Sequence, residues 1–359
     1  MINGSMILFI TRKHPPAVGG MEQLSYQLTR GIAERTPARV IAWGGSQKFL
    51  PLFLMYAAAA SLWTILSRPI RVVHVGDIVL APLGRFLQLL TRRRVVITAH
   101  GLDIIYPHPL YRGFVLPAAR KLDQVICISE HARQLCLARG FDPARLSVIP
   151  VGIEPQPPPT LAEEERAARL AEWDLTPRPR RLLLTVGRLV RRKGVVFFIR
   201  EVMPRLPDDF VYLVVGDGVE AANARAAVAE AGLERRVRLL GKLAPDALAA
   251  AYALADVFVM PNIPVSNDAE GFGIVVLEAR AAGLPVVAAA LEGIPDACAG
   301  EPDARLVPAL DAEAFAEALT AVRDDELTPA GRASRSARVS AQFGWPAIVD
   351  RYLAVFNDV

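Results

Sequence analysis

Two series of short apolar runs, six in each, constrain this 359-residue chain more than any other feature. The first comprises Met6–Thr11, Ala38–Trp43, Arg71–Val75, Val95–His100, Gln124–Ser129 and Leu146–Val151. Helical stretches such as Met21–Glu34 and Glu130–Arg139 separate them. The second comprises Arg181–Val186, Phe210–Val215, Val237–Leu240, Val257–Met260, Pro285–Ala290 and Arg305–Val307, with Ala221–Glu230 and Asp246–Ala255 its clearest helices. Uninterrupted apolar runs alternating with helices specify parallel sheets covered on both faces. The proline cluster Pro155-Gln156-Pro157-Pro158-Pro159 stiffens the chain between the two series. Thr160 and Glu163 then have capping-box spacing ahead of a charged helix. The expected architecture is α/β, with two doubly wound domains over 1–155 and 156–344. Ligands of such sheets bind beyond the carboxyl ends of the strands, where strand order reverses. A site in the cleft between the domains is expected.

A formal charge of +4 hides an imbalance. Residues 1–155 carry 18 Lys+Arg against 8 Asp+Glu, whereas residues 156–359 carry 23 against 29. The basic half is suited to an anionic surface or a phosphorylated substrate. Cys127, Cys136 and Cys298 are spaced neither as metal ligands nor as a disulfide framework, and the first residues lack a signal-sequence pattern. A reducing, cytoplasmic setting with packing thiols is the expectation.

The chemistry concentrates after particular strands. Glu270-Gly271-Phe272-Gly273-Ile274-Val275-Val276-Leu277-Glu278 reads as a loop entering a helix. Free amides and a partial positive charge gather at such a helix mouth, with Glu278 about two turns inside. Carboxylates there are acceptors for hydroxyls, and hydroxyls beside an anion describe a sugar nucleotide. A capped core helix is the other reading of this segment. Arg188 and Lys193, in Val186-Gly187-Arg188-Leu189-Val190-Arg191-Arg192-Lys193-Gly194, can clamp a diphosphate as a fork and a point charge. Arg191 and Arg192 read as solvated. Gly19-Gly20-Met21-Glu22 follows the first run and opens a helix, so the backbone there can approach a ligand, or simply turn. His100 ends a strand beside Gly101, and Gly216-Asp217-Gly218 ends another. The uncharged stretch from Phe49 to Ser67 is long enough to span a bilayer, yet its place in the alternation favours a packed helix, with a membrane-surface helix as the alternative.

In order, these segments resemble retaining glycosyltransferase family 4, with its two Rossmann-like domains in the GT-B fold. Ile149-Pro150-Val151-Gly152-Ile153-Glu154, Asp256-Val257-Phe258-Val259-Met260-Pro261 and Ala282-Gly283-Leu284-Pro285-Val286-Val287-Ala288 extend the similarity over nearly the whole chain. The resemblance implies an acceptor-side first domain and a donor-binding second one. It also implies a closing helix, about 345–359 after Phe343-Gly344-Trp345, that returns to the first domain. Arg188 and Lys193 would hold the donor diphosphate and Glu278 the ribose. Glu270 with Gly271, Phe272, Gly273 and Ile274 would hold the sugar. His100 would touch it near the reacting carbon, Gly19 and Gly20 would lie against the phosphate, and Gly216 near the nucleotide. Val151 replaces the family's usual asparagine, and the loop Asn262 to Ala269 exceeds the shortest family versions.

The implied activity is metal-independent transfer of a hexose, without a cofactor, from a UDP or GDP sugar to an acceptor. The basic first half, Arg92-Arg93-Arg94 and the long uncharged helix point to a lipid-linked or cell-envelope glycan acceptor and to peripheral attachment on the inner face of an anionic membrane. Nucleic acid is not an expected partner. A sugar-nucleotide epimerase and a non-catalytic sugar-nucleotide-binding module are the alternatives. A nicotinamide-dependent oxidoreductase is disfavoured, because neither domain has Gly-x-Gly-x-x-Gly after its first strand.

Overall fold

The computed structural model describes residues 5–16 and 19–358. The chain forms two compact units, Met1–Gly152 with Phe343–Val359, and Ile153–Gln342.

The first unit is built on β1 (Met6–Thr11), β2 (Ala38–Ala42), β3 (Ile70–Val75), β4 (Arg94–Ala99), β5 (Gln124–Cys127) and β6 (Leu146–Val148). They form one parallel sheet in the order β2-β1-β3-β4-β5-β6. Leu8, Phe9, Val73, Val96 and Ile97 are buried in consecutive as well as alternate positions, as a sheet covered on both faces requires. The helix Trp345–Asn357 belongs to this unit. Its Phe356 packs edge-on against Phe9 at 6.1 Å, and its Tyr352 meets His74 at 6.0 Å.

The second unit repeats the plan with β7 (Arg181–Val186), β8 (Phe210–Val215), β9 (Val237–Gly241), β10 (Val257–Met260), β11 (Val286–Ala289) and β12 (Arg305–Val307). Its parallel order is β12-β11-β10-β7-β8-β9. Phe198, Tyr212 and Phe315 anchor one side of its core, with Phe198 perpendicular to Phe315 at 6.1 Å. The direction of winding reverses between β1 and β3 in the first unit and between β7 and β10 in the second. Those two places are where each sheet can open a crevice.

Two local expectations are corrected. The charged helix runs Glu163–Glu172 with Ala162 at its N-cap and no side-chain cap, so Thr160 and Glu163 form no capping box. Three glutamates in its first turn complement the helix dipole instead. The helix Leu50–Ser67 is not a core helix, since only 28% of it is buried. Phe53, Ala57, Ser61, Thr64 and Ile65 face the protein, while Leu52, Met55, Tyr56, Trp63 and Leu66 face outward. The outward row is larger and more apolar than the inward one, the reverse of an ordinary surface helix. The cysteines are the packing thiols expected, all three free and buried, with the sulfurs of Cys127 and Cys136 3.9 Å apart.

Candidate active site

In the second unit the loops leaving β7 and β10 are joined by their backbones, with Ile263 N–H donating to the Arg192 carbonyl at 2.9 Å. This tie brings the basic loop after β7 over the acidic loop after β10. Lys193 Nζ stands 2.6 Å from Glu270 Oε2. Arg192 Nη1 bonds the same oxygen, and Asn262 Nδ2 reaches it at 3.4 Å. Arg192 Nε also donates to Asp268 at 3.0 Å.

Arg192 is therefore not the solvated residue that the run Arg191-Arg192-Lys193 suggests. It is buried and belongs to the cluster, because two carboxylates repay its desolvation. Burial works against the ionised form of Glu270, but Lys193 and Arg192 together hold its carboxyl below the usual range. Burial pulls the Lys193 ammonium below its ordinary value, and Glu270 opposes that pull. The three side chains Arg192, Lys193 and Glu270 form one closely packed cluster of opposite charges. Arg188 is exposed at the exit of β7, and its charge is felt at Lys193.

Glu270 is fixed from the far side as well. Its backbone N–H donates to the Glu292 carboxylate, and its carbonyl accepts from Gly293 N–H at 3.2 Å. Beyond it Gly271 and Phe272 turn the chain, and Gly273, with φ +83°, caps the helix Ile274–Ala281. Ile274 begins that helix and Glu278 is its fifth residue. Burial raises the Glu278 carboxyl, while a hydrogen bond from the Tyr252 hydroxyl at 2.9 Å pulls it back. Gly216 lies at the exit of β8, where a Cβ would come within 1.9 Å of the Gly187 carbonyl oxygen. Its absent side chain lets the β7 and β8 exits pack backbone to backbone.

In the first unit His100 follows β4 directly. Its Nε2 lies 2.9 Å from the Gly76 carbonyl, and its backbone N–H donates to Asp103 at 2.8 Å. Asp103 also accepts from Ile78 N–H at 3.3 Å, and its carbonyl accepts from the Tyr111 hydroxyl at 2.6 Å. Burial raises the Asp103 carboxyl, and His100 opposes that shift. Gly19 caps the helix Gly20–Ala33 beyond β1, and a Cβ on Gly20 would meet nothing within 4 Å. Gly20 and His100 thus share the carboxyl edge of one sheet, on strands separated by β3.

The geometry joins Lys193 to Glu270 directly and brings the charge of Lys193 to bear on Glu278. Cations and oriented acceptors gather at a strand reversal, which suits a ligand with an anionic part and a polyhydroxyl part. Residues 18–157 match the model for Glycosyltransferase Family 4, and residues 180–325 match that for Glycosyl transferases group 1. The chain belongs to glycosyltransferase family 4.

This glycosyltransferase is 27% identical, over 96% of both chains, to a GDP-mannose-dependent alpha-(1-6)-phosphatidylinositol monomannoside mannosyltransferase of Mycobacterium tuberculosis. It is 31% identical over 60% of its length, and 52% of the relative's, to a D-inositol 3-phosphate glycosyltransferase of Corynebacterium glutamicum. Its fold matches that of Anabaena Alr3699/HepE, crystallised with UDP, at a TM-score of 0.79 over 99% of this chain and 100% of that one, with 17% identity. The two-sheet GT-B architecture expected from the sequence is thereby established. Arg192, Asp268, Glu292 and Tyr252 complete the surroundings of the glutamates, and sequence reasoning did not single them out. Only Arg192 carried a signal, as the immediate neighbour of Lys193.

Proposed function

We propose that this glycosyltransferase moves a hexose from a nucleoside diphosphate hexose to a lipid-linked glycan acceptor, with retention at the anomeric carbon. GDP-mannose is the first donor to test, because the relative aligned along its whole length uses it. The observation that carries the reading is the meeting of Lys193 and Glu270, with Arg188 alongside, at the reversal between β7 and β10.

Arg188 and Lys193 neutralise the charge that builds on the leaving diphosphate, so no metal or cofactor is required. Glu270 and the helix-mouth backbone from Gly271 to Ile274 take sugar hydroxyls, and Glu278 takes those of the ribose. His100, Gly19 and Gly20 are the first unit's candidates for ligand contact, and Gly216 is assigned beside the nucleotide. In same-face attack the acceptor oxygen bonds to the anomeric carbon as the bond to the diphosphate oxygen breaks. A leaving-phosphate oxygen takes the acceptor's proton, and the nucleoside diphosphate departs.

The acceptor reading draws on the lipid acceptor of the mycobacterial relative and on the outward row Leu52, Met55, Tyr56, Trp63 and Leu66. Phe86, Leu89 and Leu90 of the neighbouring helix Ala81–Thr91 add to this apolar surface, and Arg92 and Arg93 follow them, exposed. Apolar side chains rimmed by cations suit a peripheral seat on an anionic leaflet, on the cytoplasmic side. Leu50–Ser67 is the one described helix long and apolar enough to cross a bilayer. It lies instead within the β2-to-β3 connection of a parallel sheet, with Phe53, Ala57 and Ile65 buried.

The decisive assay incubates the chain with GDP-mannose and a panel of UDP, GDP and ADP hexoses, with and without a polyprenyl or glycolipid extract. Acceptor-dependent nucleotide release and a lipid-soluble labelled product are expected. A complete panel giving neither transfer nor hydrolysis overturns the reading. A new sugar nucleotide formed without acceptor turns it towards epimerisation.

A further inference from the structure

Glu278 does not stand alone at its helix. Tyr252, on the neighbouring helix Pro245–Leu254, donates its phenol hydrogen to Glu278 Oε2 at 2.9 Å. The Tyr252 ring is buried and stacks on Phe258 of β10, with centroids 6.4 Å apart and planes 27° from parallel. Its main chain is tethered too, because the Tyr252 carbonyl accepts from Arg332 at 3.4 Å. A rigid aromatic donor thus grips one oxygen of a carboxylate that three rotatable bonds would otherwise leave free to wander.

We propose that Tyr252 is a positioning residue for the nucleotide ribose, setting the rotamer of Glu278 so that its remaining lone pairs meet the 2′- and 3′-hydroxyls. The inference rests on the reading that Glu278 takes the ribose. An ionised carboxylate offers about four acceptor sites, and Tyr252 occupies one of them. Preorganisation of this kind removes an ordering cost that would otherwise be charged to each binding event.

The phenol also biases the charge. Burial favours the neutral carboxyl of Glu278, and the Tyr252 hydrogen bond favours the ionised one. The phenol itself remains a donor at any working pH, because burial and then the adjacent Glu278 push its ionisation far up. Losing the phenol hydrogen should weaken ribose recognition and move the protonation of Glu278 upward in pH.

The test compares binding of GDP and UDP with that of their 2′,3′-dideoxy counterparts, by calorimetry on the full chain. In Tyr252→Phe the ribonucleotide should lose about tenfold in affinity, within the range for a hydrogen bond to a charged group. The dideoxynucleotide should be held as in wild type. Terminal-phosphate protonation at about pH 6 is common to both ligands, so the acid limb is read in the ratio of ribonucleotide to dideoxynucleotide affinity, where it should rise in pH. Equal losses for both ligands, or for neither, overturn the proposal.

Glu278→Gln separates the two levels of inference. If it weakens the ribonucleotide and the dideoxynucleotide equally, or weakens neither, the ribose reading itself fails. If it weakens the ribonucleotide selectively and Tyr252→Phe does not, only the role of Tyr252 fails. Should Tyr252→Phe not fold, 3-fluorotyrosine at position 252 keeps the shape and strengthens the donor. The acid limb should then move down in pH, and an unmoved limb overturns the proposal.

Discussion

Lys193 and Glu270 are 77 residues apart in sequence, and the ammonium lies 2.6 Å from the carboxylate. The bond is closed by two loops that leave strands flanking the reversal of one sheet. Burial opposes the ionised form of both groups, and each one's charge favours the ionised form of the other.

Arg188 is the cation not buried in that cluster, being exposed at the exit of β7. Its loss should act on the transition state more than on the fold. Arg188→Ala is expected to lower kcat by about 100- to 1000-fold, with a Tm close to wild type. Steady-state nucleotide release alongside thermal unfolding checks this, and a large fall in Tm would reassign Arg188 to structure.

Arg192 should behave in the opposite way. Arg192→Met leaves Asp268 without its guanidinium partner and Glu270 with Lys193 and Asn262 only. A loss of about 1.5–3 kcal/mol in stability is expected, from hydrogen bonds to charged groups. Urea unfolding at pH 7 measures it. Glu270 has a lowered carboxyl in the folded chain, so its contribution is present above its unfolded value and lost as pH falls through the folded one. The penalty of the variant should therefore shrink when unfolding is repeated towards pH 3.

Glu278 predicts a pH dependence of donor use. Its carboxyl is raised above the ordinary 4.5 by burial, and only the ionised form accepts two hydroxyls. As pH falls, kcat/KM should drop through a limb lying above 4.5, and Glu278→Gln should abolish that limb while lowering activity throughout. A limb unchanged in Glu278→Gln would assign it to another group.

How far the sequence discloses this molecule depends on where each signal resides. Phe210–Val215 and Val257–Met260 are strands over those same bounds, because a doubly covered strand is apolar from end to end. In the first unit Trp43, His100, Ser129 and Val151 fall beyond the paired residues. Apolar and β-branched character continues there after the neighbouring strand has ended. Glu270 and Glu278 were legible because a glycine-flanked helix mouth is a local pattern. Arg192 was not, since its partners lie 76 and 78 residues downstream and nothing local says which basic side chain turns inward. The outward face of Leu50–Ser67 was equally hidden, because composition is apolar on both sides of that helix.

That outward face gives a prediction of its own. Trp63 is 75% exposed, so Trp63→Glu should leave Tm unchanged. Co-sedimentation with vesicles rich in anionic lipid should fall in the variant, and wild-type binding should weaken as salt rises. Equal partitioning of the wild type on neutral and anionic vesicles would remove the electrostatic part of the proposal.

Gly20 separates ligand access from folding. A Cβ there meets nothing within 4 Å, and alanine is the better helix former by about 1 kcal/mol. Gly20→Ala should hold or raise Tm while lowering kcat/KM, through a methyl group set where the proposed function puts the phosphate. Full activity in a stabilised Gly20→Ala protein would release that helix mouth from any ligand role.

The first unit takes its last helix from the far end of the chain, with Phe356 and Tyr352 against Phe9 and His74. Ile153–Gln342 can therefore be excised as one continuous fragment, whereas a gene stopped at Gly152 lacks a wall of its own hydrophobic interior. A ribosome must have made Trp345–Asn357 before the part it began with is whole.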